Sequence, residues 1–208
     1  MSERPESIAE LLPAVIRGEA EAQGVWYQRE HPEAYRLCLG FLADAVEAED
    51  VAQDAMLHLL DKLQDFDQSR EYKPWRTSVI LNLCRDRTRR VSARRRAESS
   101  AALAHEDQLL GDSSFSRGRF VSRPDREAES NELQELLTGC LARLTPRERE
   151  VFVLRDLSQL STEHVAGLLD IGESSVRSLL ALARRRVRTL LEPQLGDPQN
   201  PCGEVPGV

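Results

Sequence analysis

Aromatic residues are scarce in this sequence, and so are glycines. Phe, Trp and Tyr make up 5% of the 208 residues, there are 11 glycines, and few stretches alternate polar with apolar residues. A protein built on sheets needs aromatic and β-branched residues in that alternating pattern. The composition therefore predicts an all-α protein with cores of Leu, Val and Ala.

Clusters of residues that carry chemistry are also missing from the sequence. The four cysteines are widely separated, and none forms a Cys-x-x-Cys pair or stands at zinc-ligand spacing from a histidine. We therefore expect small buried thiols in a reducing compartment and no metal site. The sequence has no Gly-rich phosphate loop and no Ser/His/Asp arrangement. It predicts neither an enzyme nor a protein with a cofactor or a small-molecule substrate.

Long apolar runs are absent from the sequence as well. No stretch approaches the roughly 18 apolar residues of a membrane span. The first residues, MSERPESIAELLP, are acidic and lack the apolar core of a signal peptide. These features predict a cytoplasmic protein that does not insert into a membrane.

Positive charge is in deficit overall but is unevenly distributed along the chain. The sequence has 28 Lys and Arg against 35 Asp and Glu, which gives a net charge of −7. Residues 1–65 carry −9, whereas residues 66–100 carry +6. An acidic segment followed by a basic one indicates two different partners, of which one is a polyanion.

The first group of helices is predicted between residues 7 and 66. Residues 7–46 have a helical pattern with interruptions at Gly18 and Gly24, and residues 47–66 read as an amphipathic helix. The apolar stripe of the amphipathic helix consists of Val51, Ala52, Ala55, Met56, Leu59, Leu60 and Leu63.

A strongly basic helix is predicted next. A polar loop ends at Pro74, and the helix that starts at Trp75 carries seven arginines between Arg85 and Arg96. Phe66, Tyr72 and Trp75 lie beside this basic stretch, and aromatic residues next to a cationic surface can stack on unpaired bases. A solvated helix end and core packing of Trp75 are the alternatives.

A change in composition separates two predicted domains. Residues 97–127 are rich in Ser, Gly and charge and are predicted to be a flexible linker. The two small helical domains on either side of it span residues 7–96 and 128–192. Residues 193–208 contain several prolines and are expected to form a disordered tail.

The second domain contains a helix-turn-helix pattern at residues 161–191. Thr145 and Glu148 are placed as a capping box upstream, Ser161 caps the next helix, and residues 170–173 form the turn. The apolar residues expected to join the two helices are Val165, Leu168, Leu169, Ile171, Val176, Leu180 and Ala183.

The last helix of this pattern has the side chains that a helix in the DNA major groove needs. Short polar residues and an arginine occupy its first turns, where base edges lie closest. Arg184, Arg185 and Arg188 follow further along, where phosphates are expected. An ordinary helical hairpin is the alternative for this segment taken alone.

Three segments together resemble bacterial sigma factors of the extracytoplasmic-function type, in the sigma-70 family. They are EAEDVAQDAM, DFDQ…PWRTSVILNLCRDRTRR and LARLTPREREVFVLRDLSQLSTEHVAGLLDIGESSVRS. The resemblance covers roughly residues 11–96 and 130–190, in the family's order and spacing. It implies a domain called region two, which binds core RNA polymerase and melts the minus-ten promoter element, and a region four that binds the minus-35 element.

The resemblance implies three groups of contact residues. The core-polymerase contact would consist of Glu49, Asp50, Gln53 and Asp54. The minus-ten contact would consist of Asp67, Gln68, Ser69, Arg70, Tyr72, Lys73, Trp75, Asn82, Arg89 and Arg90. The minus-35 contact would consist of Ser174, Ser175, Arg177, Ser178, Ala181, Arg184, Arg185 and Arg188. The implied partners are bacterial RNA polymerase core, promoter DNA and an anti-sigma factor.

The sequence departs from the family pattern at a few positions. Leu179 and Leu182 stand where the family prefers basic residues, and Ala181 is smaller than the usual side chain. Arg76 replaces a residue that is usually apolar, and His164 replaces a common Glu. The two leucines are either repacked core or a partner-facing patch, and we expect weaker minus-35 reading than is usual.

Two other functions remain open at the level of sequence. One is a helix-turn-helix transcription regulator that binds duplex DNA without RNA polymerase. The other is an adaptor that binds polymerase but has lost DNA reading, for which Leu179 and Leu182 are the best support.

Overall fold

The structure is a computed structural model that describes residues 7–103 and 136–195. The chain divides into two compact units, Met1–Val121 and Ser122–Val208. Within the described ranges all regular secondary structure is helical, so the predicted all-α class is confirmed.

Four α-helices form the described part of the first unit: α1 (Ile8–Ile16), α2 (Ala20–Leu42), α3 (Ala45–Lys62) and α4 (Tyr72–Leu103). A short 3₁₀ turn, Leu63–Asp65, follows α3. Local capping sets two of the helix starts. Ser7 caps α1 in a capping box with Glu10, and the Asp44 carboxylate accepts hydrogen bonds from the first amides of α3.

The apolar stripe of α3 forms the centre of the first unit's core. Val51, Ala52, Ala55, Met56, Leu59 and Leu63 are all buried, as predicted, and Leu60 is half-buried. Helix α3 packs against both α2 and α4, which contribute Trp26, Cys38 and Ile80 to the same core. The packing leaves the polar side of α3 exposed to solvent.

The two glycines of the first segment behave differently. Gly18 separates α1 from α2 and has φ = +82°, a conformation that glycine adopts without strain. Gly24, by contrast, lies inside α2, so its predicted role as an interruption is wrong. A glycine costs about 1 kcal/mol within a helix, and tertiary packing of α2 against α1, α3 and α4 outweighs that cost.

Helix α4 is longer than the sequence indicates at both ends. It begins at Tyr72, so Pro74 lies in its first turn, where a proline removes no intrahelical hydrogen bond. It continues to Leu103, beyond the expected start of the linker at residue 97. The rest of the expected linker, residues 104–127, lies outside the described residues, as do residues 128–135 of the expected second domain.

The described part of the second unit consists of α5 (136–142), α6 (Pro146–Phe152), a π-helical turn (Val153–Leu157), α7 (Thr162–Leu169) and α8 (Glu173–Leu195). The predicted capping box of Thr145 and Glu148 is confirmed, and so is the cap at Ser161. The π-helical turn was not predicted, because nothing in its sequence distinguishes it from the helix before it.

Helices α7 and α8 form the predicted helix-turn-helix. Asp170 ends α7 in the left-handed region, with φ = +53°, and α8 begins three residues later. Val165 and Leu169 of α7 and Val176, Leu180 and Ala183 of α8 are buried, whereas Leu168 and Ile171 are half-buried. Helix α8 also continues past Pro193 to Leu195, so residues 193–195 are helical and do not belong to the expected tail; residues 196–208 lie outside the described residues.

Candidate functional site

The four residues predicted to contact polymerase form one exposed acidic face on α3, opposite its apolar stripe. Glu49, Asp50, Gln53 and Asp54 lie within little more than one helical turn, which brings their side chains together. The Gln53 amide donates a hydrogen bond to Glu49 over 3.0 Å. An exposed negative surface of this kind suits a basic partner.

Arg87 of α4 borders the acidic face of α3. Its guanidinium binds the Glu47 carboxylate and lies 3.6 Å from an oxygen of Asp50. The hydrogen bond that Arg87 donates to Glu47 is the main cause that raises the pKa of Arg87, with added attraction from Glu47, Asp50 and Asp54. One arginine of the basic stretch is therefore used within the protein, which a count of charges along the sequence cannot reveal.

An apolar groove opens between α2 and α3, next to the acidic face. The groove has a volume of about 470 Å³, and Met56 and Leu60 of α3 line it together with Trp26. Tyr27 and Leu57 stand at its edge with 46% and 70% of their surface exposed. Leu57 lies outside the apolar stripe of α3, so the sequence pattern did not indicate that this residue borders a groove.

The loop before α4 is held by a local turn at Asp67. The Asp67 carboxylate accepts a hydrogen bond from the Ser69 amide, and the Arg70 amide donates to the Asp67 carbonyl, both over 3.0 Å. Hydrogen bonds from the side chain and the amide of Ser69 lower the pKa of Asp67. The other predicted loop residues are exposed: Gln68, Ser69, Arg70 and Lys73.

Three aromatic rings form a cluster where this loop enters α4. The Phe66 ring centroid lies 4.5 Å from that of Trp75 and 5.9 Å from that of Tyr72, and the Tyr72 and Trp75 centroids are 5.6 Å apart. Phe66 is buried, whereas Trp75 is half-buried. The two alternatives for Trp75, core packing and stacking on a base, are therefore compatible, since one part of the ring packs inward and the other faces solvent.

A buried polar network lies beneath the aromatic cluster, and the sequence did not reveal it. The Arg76 guanidinium and the Glu30 carboxylate are 2.8 Å apart, with only 7% and 3% of their side chains exposed. The Tyr72 hydroxyl donates to Glu30 over 3.4 Å and accepts from the Trp26 indole over 3.1 Å. Burial, with the nearby Glu30 charge, raises the pKa of Tyr72.

This network explains why the fold accepts Arg76 at a position that is otherwise apolar. Glu30 lies on α2, 46 residues away, and supplies the opposite charge that a buried arginine needs. The only signal in the sequence was the charge of Arg76 on the inner side of an amphipathic helix.

Helix α4 places three of the predicted minus-ten residues along one side. Trp75, Asn82 and Arg89 follow one another at seven-residue spacing, so successive residues lie about 10 Å apart along the helix. Asn82, Arg89 and Arg90 are exposed, and Arg89 forms an ion pair with Asp86 at 2.9 Å.

The predicted face of α8 is exposed to solvent along its first three turns. Ser174, Ser175, Arg177, Ser178 and Ala181 are all exposed and lie away from the buried stripe of this helix. The Ser178 hydroxyl donates to the Ser174 carbonyl over 3.0 Å, and Arg177 forms an ion pair with Glu173 at 2.5 Å.

The arginines near the middle of α8 divide into two groups. Arg184 binds Asp156 through two hydrogen bonds of 2.9 and 2.6 Å, which raise its pKa, and Arg186 binds the buried Glu148 at 2.5 Å. Both pairs tie α8 to the preceding part of the unit. Arg185 and Arg188 instead face solvent. The sequence could not separate the groups, because Asp156 and Glu148 are 28 and 38 residues away.

Comparisons with known proteins agree with this arrangement of two helical units. The family model described as Sigma-70 region 2 matches residues 26–95, and the one described as Sigma-70, region 4 matches residues 134–187. The chain belongs to the sigma-70 family of RNA polymerase sigma factors, in its extracytoplasmic-function group. The region 2 match spans the acidic face, the loop and most of α4, and the region 4 match contains the helix-turn-helix.

Individual relatives match this chain over most of its length. An ECF RNA polymerase sigma factor, SigM of Bacillus subtilis, is 26% identical over 82% of this chain and 96% of its own length. Another SigM, from Mycobacterium tuberculosis, is 29% identical over 89% of this chain and 85% of its own length. The fold resembles the solved sigma factor RpoE of Bartonella quintana, in complex with the anti-sigma factor NepR, with a TM-score of 0.58 and 20% identity over 79% of this chain and 93% of that one.

Family membership establishes the general activity of this sigma factor. It serves promoter-specific initiation of transcription by bacterial RNA polymerase, with core polymerase and promoter DNA as its partners. None of the helices in residues 7–103 and 136–195 has the length and apolar character needed to cross a membrane.

Proposed function

We propose that the acidic face of α3 is the surface by which this sigma factor binds core polymerase. Glu49, Asp50 and Asp54 are exposed together on a rigid helix whose other side is buried in the core. Charge complementarity of this kind increases association rates and favours one orientation of the partner. This exposed acidic face, in the same chain as an exposed helix-turn-helix face on α8, is the observation that supports the proposal.

We further propose that the loop at residues 67–73 and the adjoining side of α4 hold the melted minus-ten element. The turn at Asp67 orders the loop, Trp75 lies just after it, and Asn82 follows about 10 Å further along the same side of α4. A flipped base exposes hydrogen-bonding edges and an aromatic face only after it leaves the stack. Polar loop residues beside a half-buried aromatic ring suit both features. Tyr72 contributes through its ring, because its hydroxyl is engaged with Glu30 and Trp26.

Helix α8 is the proposed reader of the minus-35 element. Arg177 and the serines of the first turns would meet base edges, and Arg185 and Arg188 would meet phosphates. Each phosphate contact of this kind adds about one unit to the dependence of binding on salt. Arg184 is a weaker candidate than the sequence indicated, because a phosphate would have to replace its Asp156 partner.

The regulation and setting of the sigma factor are part of the same proposal. We propose that the sigma factor acts in the cytoplasm as a polymerase subunit without catalytic activity of its own. An anti-sigma factor is its proposed regulator, since the structurally similar RpoE was solved in complex with one. A regulator seated in the groove at Tyr27 and Leu57 would lie beside the acidic face and compete with polymerase.

Transcription from a selected promoter tests the proposed function directly. Core polymerase from a bacterium would be reconstituted with the full chain and supplied with a randomised promoter library, and run-off transcripts would be sequenced. We expect transcripts that share two elements at fixed spacing, and none from core polymerase alone. Duplex binding by the chain without any binding to core would instead favour a conventional helix-turn-helix regulator. Binding to core without promoter-dependent transcripts would favour the adaptor.

A further inference from the structure

We propose that α8 reads A·T base pairs, with Leu179 and Leu182 contacting thymine methyl groups and Ser178 accepting a hydrogen bond from adenine. The inference rests on the proposed function of α8 as the reader of the minus-35 element. It assigns a specificity role to two leucines that the family pattern leaves unexplained.

The geometry of α8 brings these side chains to one patch. Val176, Leu180 and Ala183 are buried, so helical geometry places Ser174 and Ser178 on the opposite, outward side, with Leu182 next to them. Leu182 is 37% exposed and Leu179 is half-buried. Together with Ser174, Ser175 and Ser178, the two leucines line a depression on the surface of the helix. The patch is apolar at the leucines and has hydroxyl groups along its edge.

The hydroxyl of Ser178 is already committed as a donor. It donates to the Ser174 carbonyl over 3.0 Å, so its oxygen is left with acceptor capacity only. While this intrahelical bond is kept, the group on the DNA that Ser178 can bind is a donor. In the major groove, the donors are the N6 amino group of adenine and the N4 amino group of cytosine.

The leucines distinguish between these two bases. A leucine offers no hydrogen bond to guanine, whereas the C5 methyl group of thymine provides an apolar contact in the major groove. An A·T pair presents the adenine amino group and the thymine methyl group on the same edge. A hydroxyl acceptor beside leucine methyl groups matches that edge, and a G·C pair offers no methyl group to the leucines.

The charges around the patch indicate DNA as its occupant. Arg185 lies on the outward side of α8 along with Ser178, and Arg177 and Arg188 are exposed on the adjoining side. An apolar patch with Arg185 beside it and two further exposed arginines on the same helix is complementary to a groove with methyl groups at its floor and phosphates at its edges. A purely apolar protein partner would leave Arg185 and Arg188 without counter-charges.

Removal of single methyl groups from the DNA tests the inference. Holoenzyme made with the full chain would first select promoters from a duplex library randomised in both elements. Each thymine of the selected upstream element would then be replaced by deoxyuridine, which pairs identically and lacks the methyl group. We expect at least one such replacement to reduce holoenzyme binding about fourfold, the effect of one buried methyl group.

Protein variants link that loss to the leucines. Leu182→Ala keeps the helix and removes an exposed side chain. The ratio of holoenzyme affinities for the thymine and deoxyuridine promoters should therefore fall towards one. Leu157→Ala removes an exposed leucine of the same unit outside α8 and should leave the full difference. Circular dichroism would establish that both variants fold.

Each outcome of this test bears on one of the two proposals. Equal binding of thymine and deoxyuridine promoters, an upstream element of G·C pairs, or transcription with no preferred upstream sequence would overturn the inference and leave polymerase binding by the first unit intact. Equal loss of binding on both DNAs with Leu182→Ala would also overturn it, since the leucine would then face polymerase or the core. A failure to transcribe any promoter would refute the proposed function itself.

Discussion

Arg76 shows how one residue can reorganise the polar interior of a helical domain. A guanidinium with 7% exposure loses nearly all of its contact with water, and the cost is offset only if an anion and further hydrogen bonds accompany it. Glu30 supplies the anion, and Tyr72 shares that carboxylate. The pair joins α2 to the first turns of α4, directly below the loop that we propose holds the minus-ten element.

Removal of one member of the buried pair should destabilise the first unit strongly. Glu30→Gln leaves the Arg76 charge buried without a partner, with an expected cost of about 3–5 kcal/mol. Both tryptophans, Trp26 and Trp75, belong to this unit, so their fluorescence during urea denaturation reports its unfolding selectively. The double variant Glu30→Gln, Arg76→Met should recover much of the loss. Independent, additive costs for the two substitutions would contradict the assignment of a coupled pair.

The Tyr72 hydroxyl should make the stability of the first unit sensitive to alkaline pH. Its pKa in the folded protein is raised above the ordinary value of about 10. The unfolded chain therefore releases this proton first, and the contribution present below pH 10 is lost as the pH rises towards the folded-state pKa. We expect the unfolding free energy to fall more steeply between pH 9 and 11 in the natural protein than in Tyr72→Phe. Parallel curves for the two proteins would show that the hydroxyl is not buried.

At the scale of single elements, α3 has one side that stabilises the core and another that is the proposed binding surface. Its apolar side forms the core, and the opposite side carries the acidic face. Substitution of the exposed acidic residues should therefore change partner binding with little effect on folding.

Charge reversal at the N-terminal half of α3 should weaken binding to core polymerase. Asp50→Lys with Asp54→Lys is expected to reduce affinity at low salt by at least tenfold, with a smaller effect at high salt because exposed charges are screened. Asp61→Lys with Asp65→Lys is a matched control that makes the same change of net charge 11 residues, or about 16 Å, further along the chain. Binding can be measured by fluorescence titration with labelled sigma factor. Equal losses for the two double variants would show a general charge effect instead of a localised surface.

The elements that sequence reasoning predicted are those fixed by neighbouring residues. The stripe of α3, the caps at Thr145 and Ser161 and the turn predicted at 170–173 depend on residues a few positions apart. All were confirmed, with the turn one residue shorter because α8 begins at Glu173. The misplaced features depend on tertiary contacts. Packing keeps Gly24 helical, and distant carboxylates bind Arg76 and Arg184. Arginines of one helix therefore look alike in sequence although some stabilise the fold and others face solvent.

At the scale of the whole molecule, each unit has its own core and its own exposed face. The first unit buries Trp26, Met56 and Ile80, and the second buries Leu154, Val165 and Val176. Promoter recognition is then the combination of two local interactions, a proposed melting surface in one unit and a proposed groove-reading helix in the other. Substitutions in different units that share no partner are expected to act independently.

Independence of the two units leads to a prediction for paired variants. Arg177→Ala should cost about 1–3 kcal/mol in holoenzyme affinity for the preferred promoter and relax its upstream specificity. Asn82→Ala should reduce open-complex formation, measured by permanganate reactivity of unpaired thymines, more than closed-complex binding. In the double variant, the free-energy effects on open-complex formation should add to within about 0.5 kcal/mol. A larger deviation would mean that closed-complex contacts at α8 and melting at α4 are coupled, so that the two units read the promoter as one surface.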